Sequence, residues 1–187
     1  MKTVLFIDGC IRGKNSRTQK IADTYIQELK KQGDFNLIIK DLDSEDLEYS
    51  KKDSFDETGK PNISSKALAE EFANADEIIL AAPFWEFIFP AIVSCYIEKV
   101  SVVGTTFVYS PEGSVGLCKA KSFKYIYTAG NYLTEEDKLS EKYLKRLTEL
   151  YGIDEFSAIL VDGLDIQTND AEALVNDMCE KIKNNLG

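Results

Sequence analysis

From Arg12 to Lys20 the sequence reads RGKNSRTQK, four positive charges with no negative one in a chain of formal net charge −10. Alone, such a run is a solvated basic face. Here it lies between a short apolar run and a helical pattern, where free backbone N–H groups and the helix dipole already favour an anion. Arg12, Ser16, Arg17 and Thr18 are therefore candidate phosphate ligands, and Ser16 or Thr18 also suits a helix cap. A second stretch, Pro83-Phe84-Trp85-Glu86-Phe87-Ile88-Phe89-Pro90, carries four aromatics in eight residues and the only Trp of the chain. Flat apolar residues bounded by prolines suit a wall for a planar ligand, or else a hydrophobic turn packed into the core or an interface. A third stretch, Thr128-Ala129-Gly130-Asn131-Tyr132, offers small residues. They serve either plain turn chemistry or a close approach of backbone to ligand, with Tyr132 covering it. One loop for a phosphate and two for a flat ring describe a mononucleotide cofactor, and FMN fits best.

Three known phosphate loops nearly match the first stretch. A Walker A loop needs GxxxxGK[ST], whereas Gly9 to Asn15 is one residue short and lacks the metal-binding hydroxyl. The dinucleotide fingerprint GxGxxG is absent. A low-molecular-weight cysteine phosphatase wants C-x5-R-[ST], while Cys10 to Arg17 is C-x6-R, one residue too long for thiolate and guanidinium to share a phosphate in that way. Cys10 thus reads as packing beside the loop, with a phosphatase built on Cys10 kept as an alternative. The sequence contains no His. That excludes Ser-His-Asp and Cys-His catalysis, His-ligated zinc and the usual base near neutral pH. Chemistry here must run on a cofactor, on carboxylates, or on a thiolate activated without imidazole.

The elements that would position these residues follow from hydrophobic pattern. Thr3–Ile7, Glu77–Ala82 and Phe123–Thr128 are short apolar runs of the kind expected for core strands buried on both faces, and Phe35–Ile39 and Phe156–Val161 read as further strands. Ile21, Ala22, Tyr25, Ile26 and Leu29 recur at helical spacing before Gly33. Further helices are expected from a cap at Ser64 or Ser65 through Ala73, over Pro90–Val103, over Glu135–Tyr151 and over Asp170–Leu186. Thr105–Ser110 is β-rich and leads into a Pro/Gly loop through Gly116. Residues 41–62 are acidic and aperiodic, and a connection this long reads as a lid or rim element. Five strand–helix units predict a single α/β domain over residues 1–187, with a five-stranded parallel sheet in the flavodoxin-like order 2-1-3-4-5 and helices on both faces. Ligands of such sheets sit beyond the carboxyl ends of strands 1 and 3, where the three loops converge.

At those loops the chain resembles the FMN-dependent NADH-azoreductase and NAD(P)H:quinone oxidoreductase family. VLFIDGCIRGKNSRTQKIAD is similar to the family's strand, phosphate loop and helix start, and the block from Ala75 to Gly130 is similar to its central region. The resemblance places Ser16, Arg17 and Thr18 on the phosphate-binding turn, with Cys10 where a small polar residue often sits. It places Pro83, Phe84, Trp85, Glu86 and Phe87 on the segment contacting the isoalloxazine, and Thr128, Ala129, Gly130 and Asn131 at the pyrimidine edge. Glu86 stands where better-known members often carry Asn, and Asn131 where a second Gly is common.

The resemblance implies a ping-pong reaction. NADH or NADPH reduces bound FMN, and a quinone or azo acceptor then takes the electrons over the same ring face, with Trp85 and Phe87 as candidate walls. No second basic cluster stands out as a reader of a 2′-phosphate, which leans towards NADH. The family commonly forms homodimers, and the apolar stretch Ala91–Val103 suits either that contact or an ordinary core-facing helix. A flavodoxin-like electron carrier without NAD(P)H turnover is the main alternative, since Asp41–Glu57 has eight acids against two lysines and suits docking on basic partners. A flavin-free structural or regulatory relative is the third. The negative charge disfavours nucleic acid, no apolar run is long enough for a membrane span, and no signal peptide is evident. Four cysteines without a CxxC pair point to a reduced, cytoplasmic setting.

Overall fold

A computed structural model describes residues 1–45, 47–51, 54 and 66–186. Its central sheet contains β1 (Thr3–Asp8), β2 (Asn36–Asp41), β3 (Glu77–Ala81), β6 (Ser122–Thr128) and β7 (Glu155–Val161). All four pairings are parallel and the order is β2-β1-β3-β6-β7, the expected 2-1-3-4-5. Alternate residues of the inner strands feed two separate cores. Leu5, Ile7, Ile78, Leu80 and Tyr125 pack beneath α2 (Lys66–Asn74), α3 (Ala91–Val100) and α4 (Leu139–Tyr151). Val4, Phe6, Ile79 and Ile126 pack beneath α1 (Arg17–Gln32) and α5 (Ala171–Leu186). Two-sided burial explains why these strands read as continuous apolar runs, each large aliphatic side chain contributing about 1.5–3 kcal/mol. The edge strand β2 is more open, with Ile39 exposed.

Several expected boundaries move, each for a local reason. Pro90 precedes α3 as its extended cap residue, and α3 stops at Val100. There the buried Thr106 hydroxyl donates to the Val100 carbonyl and accepts from Val102 N–H, closing the helix end. The expected Pro/Gly loop is a hairpin, β4 (Phe107–Ser110) and β5 (Gly113–Gly116). β5 is GSVG, which carries almost no strand signal. Gly116 is required there because a Cβ would lie 2.0 Å from the backbone nitrogen of Gly152 at the end of α4. α4 begins at Leu139 rather than Glu135, since Thr134 and Asp137 close a turn through the Asp137 carboxylate. The cap expected at Ser64 or Ser65 lies outside the described residues.

The acidic segment is no lid in its described part. Leu42 is buried in the core beneath α2–α4, Leu47 packs against that core, and Ser50 N–H donates to Glu98 of α3. Lys40 pairs with both Glu45 and Glu71. This segment therefore follows the α2–α3 flank, and its remaining residues lie outside the described ones.

The β3–α3 connection is strained. Ile88 N–H donates to the Trp85 carbonyl at 2.8 Å, closing a tight turn whose central residues Glu86 and Phe87 have φ of +51° and +68°. That backbone normally selects Asn or Gly, and side-chain-bearing residues there cost roughly 1–2 kcal/mol each. Its flanks are fastened: Phe84 N–H donates to the Thr128 carbonyl, and Phe89 is buried. Glu86→Gly is expected to raise unfolding stability by about 0.5–1 kcal/mol, less than the full strain because glycine also loses more freedom on folding. Urea denaturation of the variant checks this; a lower midpoint would show that the Glu86 side chain contributes more than its backbone costs.

Candidate functional site

The chain leaves β1 in a tight path. Gly9 N–H donates to the Ala81 carbonyl at 2.8 Å, and a Cβ on Gly9 would lie 2.7 Å from Val93, so only glycine lets the turn close against α3. A short 3-10 turn over Gly13–Asn15 follows, entered with Gly13 at φ +51°. Ser16 then caps α1, its hydroxyl accepting from Gln19 N–H at 3.2 Å. The N–H groups of Arg17 and Thr18 fall in the first turn, where a helix supplies no acceptor of its own. With no acidic residue in that turn, helix dipole and side chains together favour an anion.

Thr18, which lines the site, also ties its loops together. Its buried hydroxyl bonds the Thr128 hydroxyl at 2.7 Å, tying the start of α1 to the end of β6. The first and third loops are thereby held to one geometry, with Phe84 N–H on the Thr128 carbonyl adding the second loop. Between them lies a cleft of about 300 Å³. Arg12, Ser16, Arg17 and Thr18 line it together with Pro83, Phe84, Trp85 and Thr128 to Gly130. Trp85 is 36% exposed and presents a flat apolar surface. The lining thus combines cationic and hydroxyl groups with aromatic and small residues.

Five of the anticipated residues do not line this cleft. Cys10 lies under the loop, its Sγ 3.6 Å from the Ala81 carbonyl oxygen, and burial together with Asp8 pushes its thiol far above the usual range. A thiolate nucleophile is disfavoured there, which removes the physical basis for a phosphatase built on Cys10. Glu86 and Phe87 occupy the strained turn beyond the lining, with Phe87 56% exposed and its ring edge-on to Phe84 at 6.2 Å. Asn131 uses its carbonyl to accept from Gly163 N–H. Tyr132 likewise turns away, its ring against Gly163 and its hydroxyl accepting from Asn169.

A fourth segment, missed in the sequence, completes the rim. Leu164 and Asp165, just past β7, line the cleft, and their N–H groups donate to the carbonyls of Ala129 and Gly130. A Cβ on Gly130 would stand 2.5 Å from Asp165 Oδ2, so the two residues are closely packed. Asp165 also accepts from Arg17 Nη1 at 2.7 Å, joining this segment to the start of α1. The available signal was positional: DGLD ends a parallel strand at the same edge as the other three loops.

Comparison with known proteins agrees with this arrangement. A family described as having a flavodoxin-like fold matches residues 2–186. An FMN-dependent NADH:quinone oxidoreductase of Clostridium perfringens is 35% identical over 191 residues, covering 97% of this chain and 96% of the relative. A protein of the same description from Clostridium acetobutylicum is 33% identical, with 98% and 97% covered. Among solved structures, an FMN-dependent NADH-azoreductase from Bacillus anthracis in complex with FMN superposes with a TM-score of 0.86 at 17% identity, covering 100% of this chain and 98% of that one. An azoreductase from the same species gives 0.86 at 21% identity, with 100% and 99% covered. Those two likenesses carry the fold alone. With near-complete coverage by the clostridial relatives as well, the chain belongs to the flavodoxin-like fold family, in the company of its FMN-dependent NADH:quinone oxidoreductases.

Proposed function

We propose that the chain is an FMN-dependent NADH oxidoreductase acting on quinone or azo-type acceptors. The observation that carries this reading is one cleft joining a phosphate-suited helix start to an aromatic wall through the Thr18–Thr128 hydrogen bond. Its residues fit FMN. The first-turn N–H groups, Ser16, Arg12 and Arg17 match a phosphate dianion; Ala129 and Gly130 leave room for a ring edge; Phe84 and Trp85 supply apolar flanks. Bound there, FMN would supply the two-electron redox chemistry linking NADH to an acceptor.

The protein's own part is to bind, orient and screen. Ser16 and Arg17 hold the phosphate end, fixing how far the ring reaches across the cleft. Backbone N–H groups near Gly130 favour negative charge developing at the ring's pyrimidine edge. Trp85 would form the wall against which nicotinamide and acceptor stack in turn, which would exclude water from the transfer. No imidazole is needed, because the hydride arrives from one small molecule and leaves to another.

We further take the active species to be a homodimer, a reading supported by the exposed Ile88 and Val103 flanking α3, whose Val93, Tyr96 and Val100 face the core. A cytoplasmic setting is supported by four free cysteines. Among the described residues no helix is long and apolar enough to cross a membrane.

Purified protein mixed with FMN is expected to retain a flavin band near ~450 nm that bleaches within seconds of anaerobic NADH addition. A bound flavin that stays oxidised would favour a carrier, and absence of binding would reject both. Arg17→Ala with Ser16→Ala is expected to weaken FMN binding at least about tenfold, each charge-assisted bond contributing roughly 1.5–3 kcal/mol; flavin fluorescence titration reads this. Trp85→Ala is expected to lower NADH turnover while leaving the thermal midpoint within a few degrees. A collapse of the fold would instead assign Trp85 to core packing.

A further inference from the structure

The Arg17–Asp165 pair is the one contact on the cleft rim that the proposed function leaves unexplained. Both residues line the cleft, and both are open to solvent, with side chains 44% and 71% exposed. Asp165 Oδ1 accepts from Arg17 Nη1 at 2.7 Å. The backbone of Asp165 is tied down, since its N–H donates to the Gly130 carbonyl, and its carboxylate lies close over Gly130. A residue so fixed cannot follow Arg17 elsewhere without losing the contact.

A guanidinium has five donors but one net charge, and an ion pair this exposed contributes little to stability. A phosphate dianion at the α1 start brings more charge and more acceptors, and it also meets the helix N–H groups that Asp165 does not reach. We propose that Asp165 is an internal stand-in for the ligand's phosphate, so that an anionic phosphate ester binds by exchanging with Asp165 for Arg17. The inference rests on the FMN reading of the cleft and goes beyond it by assigning Asp165 a competing role. Asp165 pairs with Arg17 when no phosphate is present, and its charge opposes the phosphate once exchange has occurred. Both effects lower affinity for phosphorylated ligands. An unphosphorylated flavin brings no anion, leaves the pair closed and feels neither effect.

The test is flavin fluorescence titration of the full chain with FMN and with riboflavin, for the unsubstituted protein, Asp165→Asn and Asp165→Ser, each checked by thermal melting. The FMN Kd is expected to fall about two- to five-fold in both variants, the range set by an exposed ion pair, with the riboflavin Kd unchanged. In an Arg17→Ala background the same substitutions should tighten FMN by a smaller factor, leaving only the removed repulsion. Unchanged or weaker FMN binding would overturn the exchange. Weakening of both flavins together would instead assign Asp165 to the uncharged part of the ligand. If the unsubstituted chain binds neither flavin, the FMN reading itself falls and the exchange falls with it.

Discussion

The structure depends on β1 being buried on both faces. Leu5 and Ile7 enter one core while Val4 and Phe6 enter the other, so the strand must lie inside the sheet with helices above and below. A right-handed crossover from β1 leads to β2 on one side, and the chain then returns past β1 to β3 on the other. The loops after β1 and β3 consequently diverge, and a crevice opens at their carboxyl ends. The candidate site is built around that crevice. The hydrophobic demand of one five-residue run therefore sets where a ligand can go.

Within the crevice, polar contacts decide the shape. Thr18 and Thr128 are both buried, and their mutual hydrogen bond satisfies two hydroxyls that would otherwise be costly to enclose. It also couples a helix start to a strand end that are 110 residues apart in sequence. Close backbone approaches do similar work at Gly9 and Gly130, where neighbouring side chains occupy the space a Cβ would need. Strain lies next to the crevice, at the left-handed pair Glu86 and Phe87 on the turn after Trp85, and buried Phe89 beside it anchors the turn. Such strain persists where surrounding contacts over-determine the backbone, commonly at ligand-facing loops.

Electrostatics point the same way. The chain is strongly acidic overall, yet the first turn of α1 carries no acidic residue and the loop before it carries Arg12 and Lys14. The nearest carboxylate below the loop, Asp8, has its pKa raised, chiefly by burial and despite accepting from Cys10 N–H. The same burial, with Asp8 beside it, pushes the Cys10 thiol upward, away from the thiolate form. A site without imidazole and without an activated thiol is suited to holding a redox cofactor rather than to covalent catalysis by side chains.

Much of this was legible in the order of residues. Apolar runs alternating with helical spacing implied a parallel sheet and its order, because two-sided burial of its inner strands leaves a period-free pattern that few other structures share. Basic residues at a helix start and aromatics after a buried strand identified two parts of one cleft's lining, since both signals are local. Tertiary structure decided what depends on distant partners. It gave the Thr18 hydroxyl to Thr128, turned Tyr132 towards Asn169, removed Cys10 from the cleft lining and brought Leu164 and Asp165 into it. It also made a strand of GSVG, whose pairing with β4 and close seating on Gly152 no propensity announces. Sequence reports what a segment must bury and which backbone it tolerates; which side chain meets which across the sheet is settled only when the layers close.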